Sequence, residues 1–397
     1  LQAVVVISSL EFGGAQRQVV ELVNNIDPAA CRLHPVSLSP FMPLTSSLRA
    51  GTAPVRCVPR RFRFDFTVVP RLAKVLRETR ADVVHGVLFD ATIAARLAGR
   101  LVRRAAVIDS ERNTGYSIKR SEFSALRATQ RWNDLTIANS RAGAEFNSGL
   151  FGRPMDRYRV VHNGVDVERF QPRASDSIRR ELGLGDQLVV GMVASFKPQK
   201  NHLVWLRAAR QVLARVPNLK LLFIGDELHK GSADSTAFKK TIIGMVAALG
   251  LENHCLFLGN KTDVEKYYGA CAITVLPSLF EGTPNVALES MACGVPVVAS
   301  DISDNAYIIR DGQTGYIVPV NDEVALADRV TMLLLNPALR EKMALQARNW
   351  VTAEFSCQRM AEKMVAVYRE AVTLRSGSVL PRPGKQPAAA ACHPVNS

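Results

Sequence analysis

No apolar run in this sequence is long enough to cross a bilayer; the longest, such as 295–300, are of strand length, which excludes a membrane-spanning helix. Cysteine is scarce and irregular. The seven cysteines are odd in number and form no C-x-x-C pair, which excludes a disulfide framework. Most lie in apolar stretches, as Cys271 does in GACAITVLP, so reduced core thiols of a cytoplasmic protein are expected. Residues 1–9 read as a first strand without a basic leader or a cleavage site, so no signal peptide is expected. Gly-x-Ser-x-Gly is missing, which argues against a serine hydrolase, and no glycine-rich loop ends in the Gly-Lys-Ser/Thr of a P-loop. No His/Cys/carboxylate cluster has ligand spacing, so neither a metal nor another cofactor is expected. At 397 residues, 47% hydrophobic and 22% charged, the chain suits two ordinary globular domains.

Acidic residues are short in the first half. Residues 1–180 hold 28 Lys and Arg against 16 Asp and Glu, so most of the net charge of +14 lies there. A basic half can face nucleic acid, an anionic membrane or an acidic substrate. No nucleic-acid-binding motif accompanies it, so no nucleic-acid partner is expected. Arg60-Arg61-Phe62-Arg63 and Arg103-Arg104 predict electrostatic attachment to the inner face of the cytoplasmic membrane, with a merely solvated surface as the plain alternative.

What the sequence does have is alternation. Short β-branched runs at 3–8, 33–38, 56–58, 82–88, 105–109 and 135–139 are separated by helical stretches such as 70–80 and 91–103. The pattern restarts with runs at 188–194, 219–224, 255–258, 273–276, 297–300 and 315–318. A polar stretch with Pro172, residues 165–185, suits a linker. The expected fold class is α/β: two tandem Rossmann-like, doubly wound domains (1–170 and 171–355) with a ligand cleft between them. A last helix, 356–375, precedes a Gly/Ser/Pro/Ala-rich tail, 376–397, expected to be disordered.

The informative segment is 277–301, PSLFEGTPNVALESMACGVPVVASD. A strand ends, a turn rich in Ser, Gly and Pro follows, and a helix is predicted from about Pro284 to Cys293, with Gly294 as its C′ residue. The amides of Asn285 and Val286 then face the cleft at the positive end of the helix dipole, a ready site for a diphosphate. Glu281 in the loop and Glu289 in the helix are placed to accept hydrogen bonds from hydroxyls of two adjoining rings, such as a hexose and a ribose.

The E-x₇-E spacing, the EGTPN turn and the following ESMACGVPVVASD resemble the signature of the retaining GT-B glycosyltransferases of family 4. The resemblance runs to about Leu374 and includes Gly13-Gly14-Ala15, Ala138-Asn139-Ser140, VVHNGVD (160–166), KPQKNH (197–202), LLFIGD (221–226) and FLGN (257–260). It implies metal-independent transfer of a hexose-type sugar from a nucleotide sugar, UDP-linked being the commoner choice, to a lipid-linked or saccharide acceptor of cell-envelope or exopolysaccharide assembly. In that reading Glu281 holds the donor sugar, Glu289 the ribose, and Lys200 neutralises the leaving diphosphate. Gly282, Thr283, Pro284, Asn285 and Val286 line the donor, and Gly13 and Gly14 let the first domain approach its phosphate. Asn260 and Lys261 lie near the base, and the last helix crosses back onto the first domain. Two features depart from the family pattern. Its arginine upstream of the phosphate lysine falls within Ala194-Ser195-Phe196-Lys197, where Lys197 is the candidate replacement. Its first-domain histidine falls at Arg112 or Asn113, with His85 a further candidate facing the cleft. A nucleotide-sugar 2-epimerase of the same architecture, or a non-catalytic degenerate transferase subunit, are the rival readings.

Overall fold

A computed structural model describes residues 1–62, 65–111, 118–227 and 233–377. The first domain is a parallel sheet of β1 (Gln2–Ile7), β2 (Arg32–Ser37), β3 (Arg56–Cys57), β4 (Val83–Val87), β5 (Ala106–Glu111), β6 (Leu135–Ala138) and β7 (Tyr158–Val160), in the order β3-β2-β1-β4-β5-β6-β7. The second is a parallel sheet of β8 (Leu188–Val193), β9 (Leu219–Ile224), β10 (Cys255–Phe257), β11 (Ile273–Leu276), β12 (Val297–Ser300) and β13 (Gly315–Val318), in the order β10-β9-β8-β11-β12-β13. Strands covered by helices on both faces must be apolar throughout rather than alternating. Val4, Val5 and Val6 of β1 and Val189 and Val190 of β8 are accordingly fully buried.

Each sheet reverses its winding once, between β1 and β4 and between β8 and β11. At such a point the loops leaving neighbouring strands splay to opposite faces and open a crevice. The loops after β1, β8 and β11 carry Gly13-Gly14, Lys197–Lys200 and Glu281–Asn285 respectively, so the winding order alone gathers them at the cleft.

The chain crosses between domains twice, side by side: Val165 bridges Ser356, whose hydroxyl caps the helix Cys357–Arg375 by accepting from the Arg359 amide at 3.3 Å. That helix buries Met360, Met364 and Tyr368 in one cluster with Val5 and Ile7 of β1. The stretch read as a polar linker is only partly one. It contains the helix Asp176–Glu181, and Phe170, Ile178 and Leu184 are buried in the core of the second domain. Arg348 fastens it by donating to the carbonyls of Phe170 and Val167 at 2.6 and 2.9 Å.

Candidate active site

The two loops that carry Lys200 and Glu281 leave adjacent strands and are stitched together by their own backbones. The Leu279 amide donates to the Gln199 carbonyl at 2.8 Å, and the Gln199 side chain returns a bond to the Phe280 carbonyl at 2.7 Å. Pro198 starts a 3₁₀ turn, Pro198–Lys200, that turns the lysine inward, while Lys197 stays exposed. Lys200 Nζ lies 2.5 Å from Glu281 Oε1, an oxygen that also accepts from the Ser278 hydroxyl at 2.8 Å. The result is a cation and a carboxylate, both largely buried, at the mouth of the cleft.

The helix Asn285–Ala292 begins one residue later than its sequence suggests. Pro284 takes the N-cap, and Gly294, at φ +72°, closes the other end in the left-handed region that favours glycine. Glu289 sits on this helix, partly buried, and Tyr268 donates to its Oε2 at 3.1 Å. Burial raises its pKa, a shift opposed by that hydrogen bond and by Arg17 of the first domain and Arg169. The Tyr268 hydroxyl also lies 3.5 Å from the Val286 carbonyl.

The EGTPN turn rests on the first domain. Thr283 donates its hydroxyl to the Asn139 carbonyl, and the Asn163 side chain donates to Asn285 Oδ1 at 2.8 Å. A Cβ on Gly282 would stand 2.7 Å from the side-chain nitrogen of Asn139, which would have to shift to admit it. Across the cleft, a Cβ on Gly14 would come within 3.6 Å of the Asn285 amide, which places the Gly13-Gly14 loop opposite the start of the same helix. Thus the side chains of Thr283 and Asn285 are engaged between domains.

A second clasp joins the domains nearby. Asp304, which follows β12, accepts from the amides of Arg141 and Ala142 at 2.7 and 3.1 Å, at the start of the helix Arg141–Phe151, and from His162 Nε2 at 2.7 Å. His162 is stacked on Tyr307, with Phe355 edge-on. Burial pushes the Asp304 carboxyl up, but the His162 bond and the two amides outweigh it and hold the pKa below the ordinary value. The unfolded chain therefore binds the proton more readily, so this stabilisation is complete above the ordinary carboxylate range and is lost as pH falls through the folded pKa. Urea unfolding below about pH 4 should show a shallower loss of stability with falling pH in Asp304→Asn than in the wild type.

Other candidates fall elsewhere. Asn260 is exposed just beyond Gly259, whose carbonyl accepts from the Gly225 amide at 2.9 Å, and Lys261 lies over the Tyr267 ring. His85, expected toward the cleft, is instead in the middle of β4 and fully buried. It lies 2.8 Å from the Tyr368 hydroxyl and 2.7 Å from the Ser110 hydroxyl, a core histidine that fastens the last helix to the first sheet. Arg112 and Asn113 lie outside the described residues. Sequence reasoning missed Asp304, Tyr268 and Ser278 as partners in the site. Asn139 and Asn163 lay within quoted motifs, but nothing in their spacing tied them to the EGTPN turn.

Two doubly wound parallel sheets with a cleft at their switch points define a two-domain GT-B fold. The family described as "Glycosyltransferase Family 4" matches residues 12–169, and that described as "Glycosyl transferases group 1" matches residues 174–350. The chain belongs to the GT-B glycosyltransferases of this group 1, family 4 type. It is 33% identical over 242 residues to D-inositol 3-phosphate glycosyltransferase of Actinosynnema mirum, covering 60% of this chain and 58% of that protein. The chain thus spans a little over half the length of the first curated relatives it matches. It is 24% identical to the Escherichia coli UDP-Gal:alpha-D-GlcNAc-diphosphoundecaprenol alpha-1,3-galactosyltransferase, covering 83% of this chain and 86% of that one. The crystal structure of Anabaena HepE in complex with UDP has the same fold, with a TM-score of 0.81 and 19% identity over 93% of this chain and all of that one.

Proposed function

We propose that the chain transfers a hexose-type sugar from a UDP-sugar to a lipid-linked or saccharide acceptor, with retention of anomeric configuration and without a metal. The observation that carries the reading is the Lys200–Glu281 pair beside the start of the helix that bears Glu289. Breaking the bond from sugar to diphosphate moves negative charge onto the departing phosphates. A lysine and a helix N-terminus already fixed beside that position stabilise this charge with little reorganisation. The acceptor hydroxyl then attacks on the face the diphosphate leaves, and a diphosphate oxygen takes its proton. Glu281 orients the sugar hydroxyls and Glu289 the ribose. The UDP in the HepE complex and the UDP-galactose and diphosphoundecaprenol named for the E. coli relative support the choice of donor and of a lipid-linked acceptor.

Calorimetry with UDP and GDP in the presence of EDTA tests the donor side. UDP is expected to bind and GDP to bind far more weakly, with UDP affinity reduced several-fold in Glu289→Ala. Binding that requires added metal, or that is indifferent to Glu289, would overturn the assignment. Product formed without any acceptor would point to the epimerase instead.

A further inference from the structure

We propose that Arg17, a residue of the first domain, binds the donor: its guanidinium reaches across the cleft to the diphosphate and clamps it against the start of the helix that bears Glu289. The inference rests on the sugar-transfer reading and adds to it a cation from the opposite domain. Arg17 lies in the first turn of the helix Gly14–Asn25, which follows the Gly13-Gly14 loop after β1. Its amide donates to the Gly13 carbonyl at 3.0 Å, so the residue is fixed to that loop.

Two helices meet start to start at this point. A Cβ on Gly14 would stand 3.6 Å from the Asn285 side-chain nitrogen, where the helices Gly14–Asn25 and Asn285–Ala292 come together. Residues three or four apart share a helix face. Arg17 is therefore on the Gly14 face of one helix and Glu289 on the Asn285 face of the other, each about one turn on from the contact. The charge of Arg17 does reach Glu289, whose carboxyl it holds down against the effect of burial. The first helix is also fixed in place: the buried Gln18 exchanges two hydrogen bonds with the Gly164 backbone, at 2.9 and 2.8 Å, beside the crossover between domains.

The charge balance of the cleft calls for such a cation. Lys200 is matched by Glu281 at 2.5 Å, so that pair presents a doubly ionised diphosphate with no net positive charge. Arg169, another cation felt by Glu289, is paired with Glu265 at 2.8 Å, and Arg49, beside the crossover, with Asp166 at 3.1 Å. Arg17 is exposed and, among the described residues, makes no ion pair. Glu289 is itself engaged by the Tyr268 hydroxyl, which leaves the guanidinium available to another anion. A guanidinium can offer parallel N–H groups to two phosphate oxygens at once. Because Arg17 and Glu289 belong to different domains, a donor held by both is gripped only when the two domains stand together.

Calorimetric titration of the full chain with UDP tests it, in the wild type, Arg17→Gln and Arg17→Lys. Arg17→Gln is expected to weaken UDP binding by about tenfold, the scale of a hydrogen bond to a charged group. Arg17→Lys, which keeps the charge and loses the fork, should fall between the two. Thermal unfolding checks that the variants are folded. The rival role for Arg17 is that of a counter-ion to Glu289, and a cycle separates the two. The loss on Arg17→Gln should persist in a Glu289→Ala background if the arginine touches phosphate. A loss that disappears there would make Arg17 a positioning partner of Glu289 and reject the phosphate contact. A loss that Arg17→Lys shares in full, with a lowered unfolding temperature in both, would make the residue a structural prop and reject it too. UDP binding by the wild type with unchanged affinity in Arg17→Gln overturns this inference alone, whereas a wild type that binds neither UDP nor GDP overturns the sugar-transfer reading and this inference with it.

Discussion

Replacing Lys200 with methionine is expected to lower kcat by about 10²–10³-fold, the scale on which loss of one preorganised charge-stabilising group is felt in a water-poor site. The argument is differential. The donor diphosphate is charged before reaction, so part of the lysine's attraction is shared by ground and transition states and appears as a modest rise in KM. The charge that develops on the leaving oxygen exists only in the transition state, and that part appears in kcat. The rival account makes Lys200 a mere counter-ion for Glu281, whose side chain is 10% exposed and 2.5 Å away. That account predicts that removing Lys200 costs nothing further once Glu281 is neutralised. Steady-state kinetics of Glu281→Gln and of Lys200→Met/Glu281→Gln decide the matter: a further large fall in kcat in the double variant supports a role on the diphosphate, and a double variant equal to Glu281→Gln would reject it.

The fold was legible because doubly wound sheets write themselves plainly, with apolar β-branched runs spaced by helices. Twelve strands read this way appear within a residue or two of their observed ends. The exception is β7, Tyr158–Val160, three residues long with Arg159 at its centre, too short and too polar for any periodicity. Arg159 is held there by Glu370 of the last helix, a partner more than 200 positions away. The segment after Val165 misled for a related reason. Its polar residues face water, while Phe170 and Ile178, isolated in sequence, fill the second core.

The candidate site divides in the same manner. Glu281, Glu289 and Lys200 stood out because loop, helix start and glycine stop are local signals. The contacts that set the distance between domains were invisible, since each joins residues far apart in the chain: Asn163 to Asn285, Thr283 to Asn139, Asp304 to His162. His85 shows the opposite hazard. A polar residue near the end of an apolar run suggests a ligand, yet in this fold its two ring nitrogens face the hydroxyls of Tyr368 and Ser110. Only the return of the last helix onto β4 and β5 explains why a histidine is tolerated there.

Asp109→Ala is expected to destabilise the chain by about 3–5 kcal/mol, the usual cost of removing one partner of a buried ion pair. Asp109 is fully buried, and its Oδ2 accepts from Arg96 Nε at 2.9 Å and Nη2 at 2.5 Å. Without it, Arg96, itself 4% exposed, keeps the Leu126 carbonyl and the Thr129 hydroxyl but has lost its counter-charge. Replacing both partners, as in Arg96→Met/Asp109→Leu, should recover much of the loss, because the two desolvation costs then vanish together. Equilibrium urea unfolding of the wild type and the two variants checks this, and a double variant as unstable as Asp109→Ala would reject the electrostatic origin. The same cluster carries a pH signature of opposite sign to that of Asp304. Burial, and then the charge of Asp109, push the Glu111 carboxyl up to about 7. The folded chain thus binds more protons than the unfolded one between the ordinary carboxylate range and neutrality, and stability falls as pH rises through that window. With Asp109 gone, one of the two causes disappears, the Glu111 pKa moves down, and the decline should end at a lower pH. Since β5 ends at Glu111, on the cleft side of the first sheet, activity that followed stability across the wild type and the two variants would make this cluster a support for the site, and activity lost in the double variant despite restored stability would give its charges a direct part in the reaction.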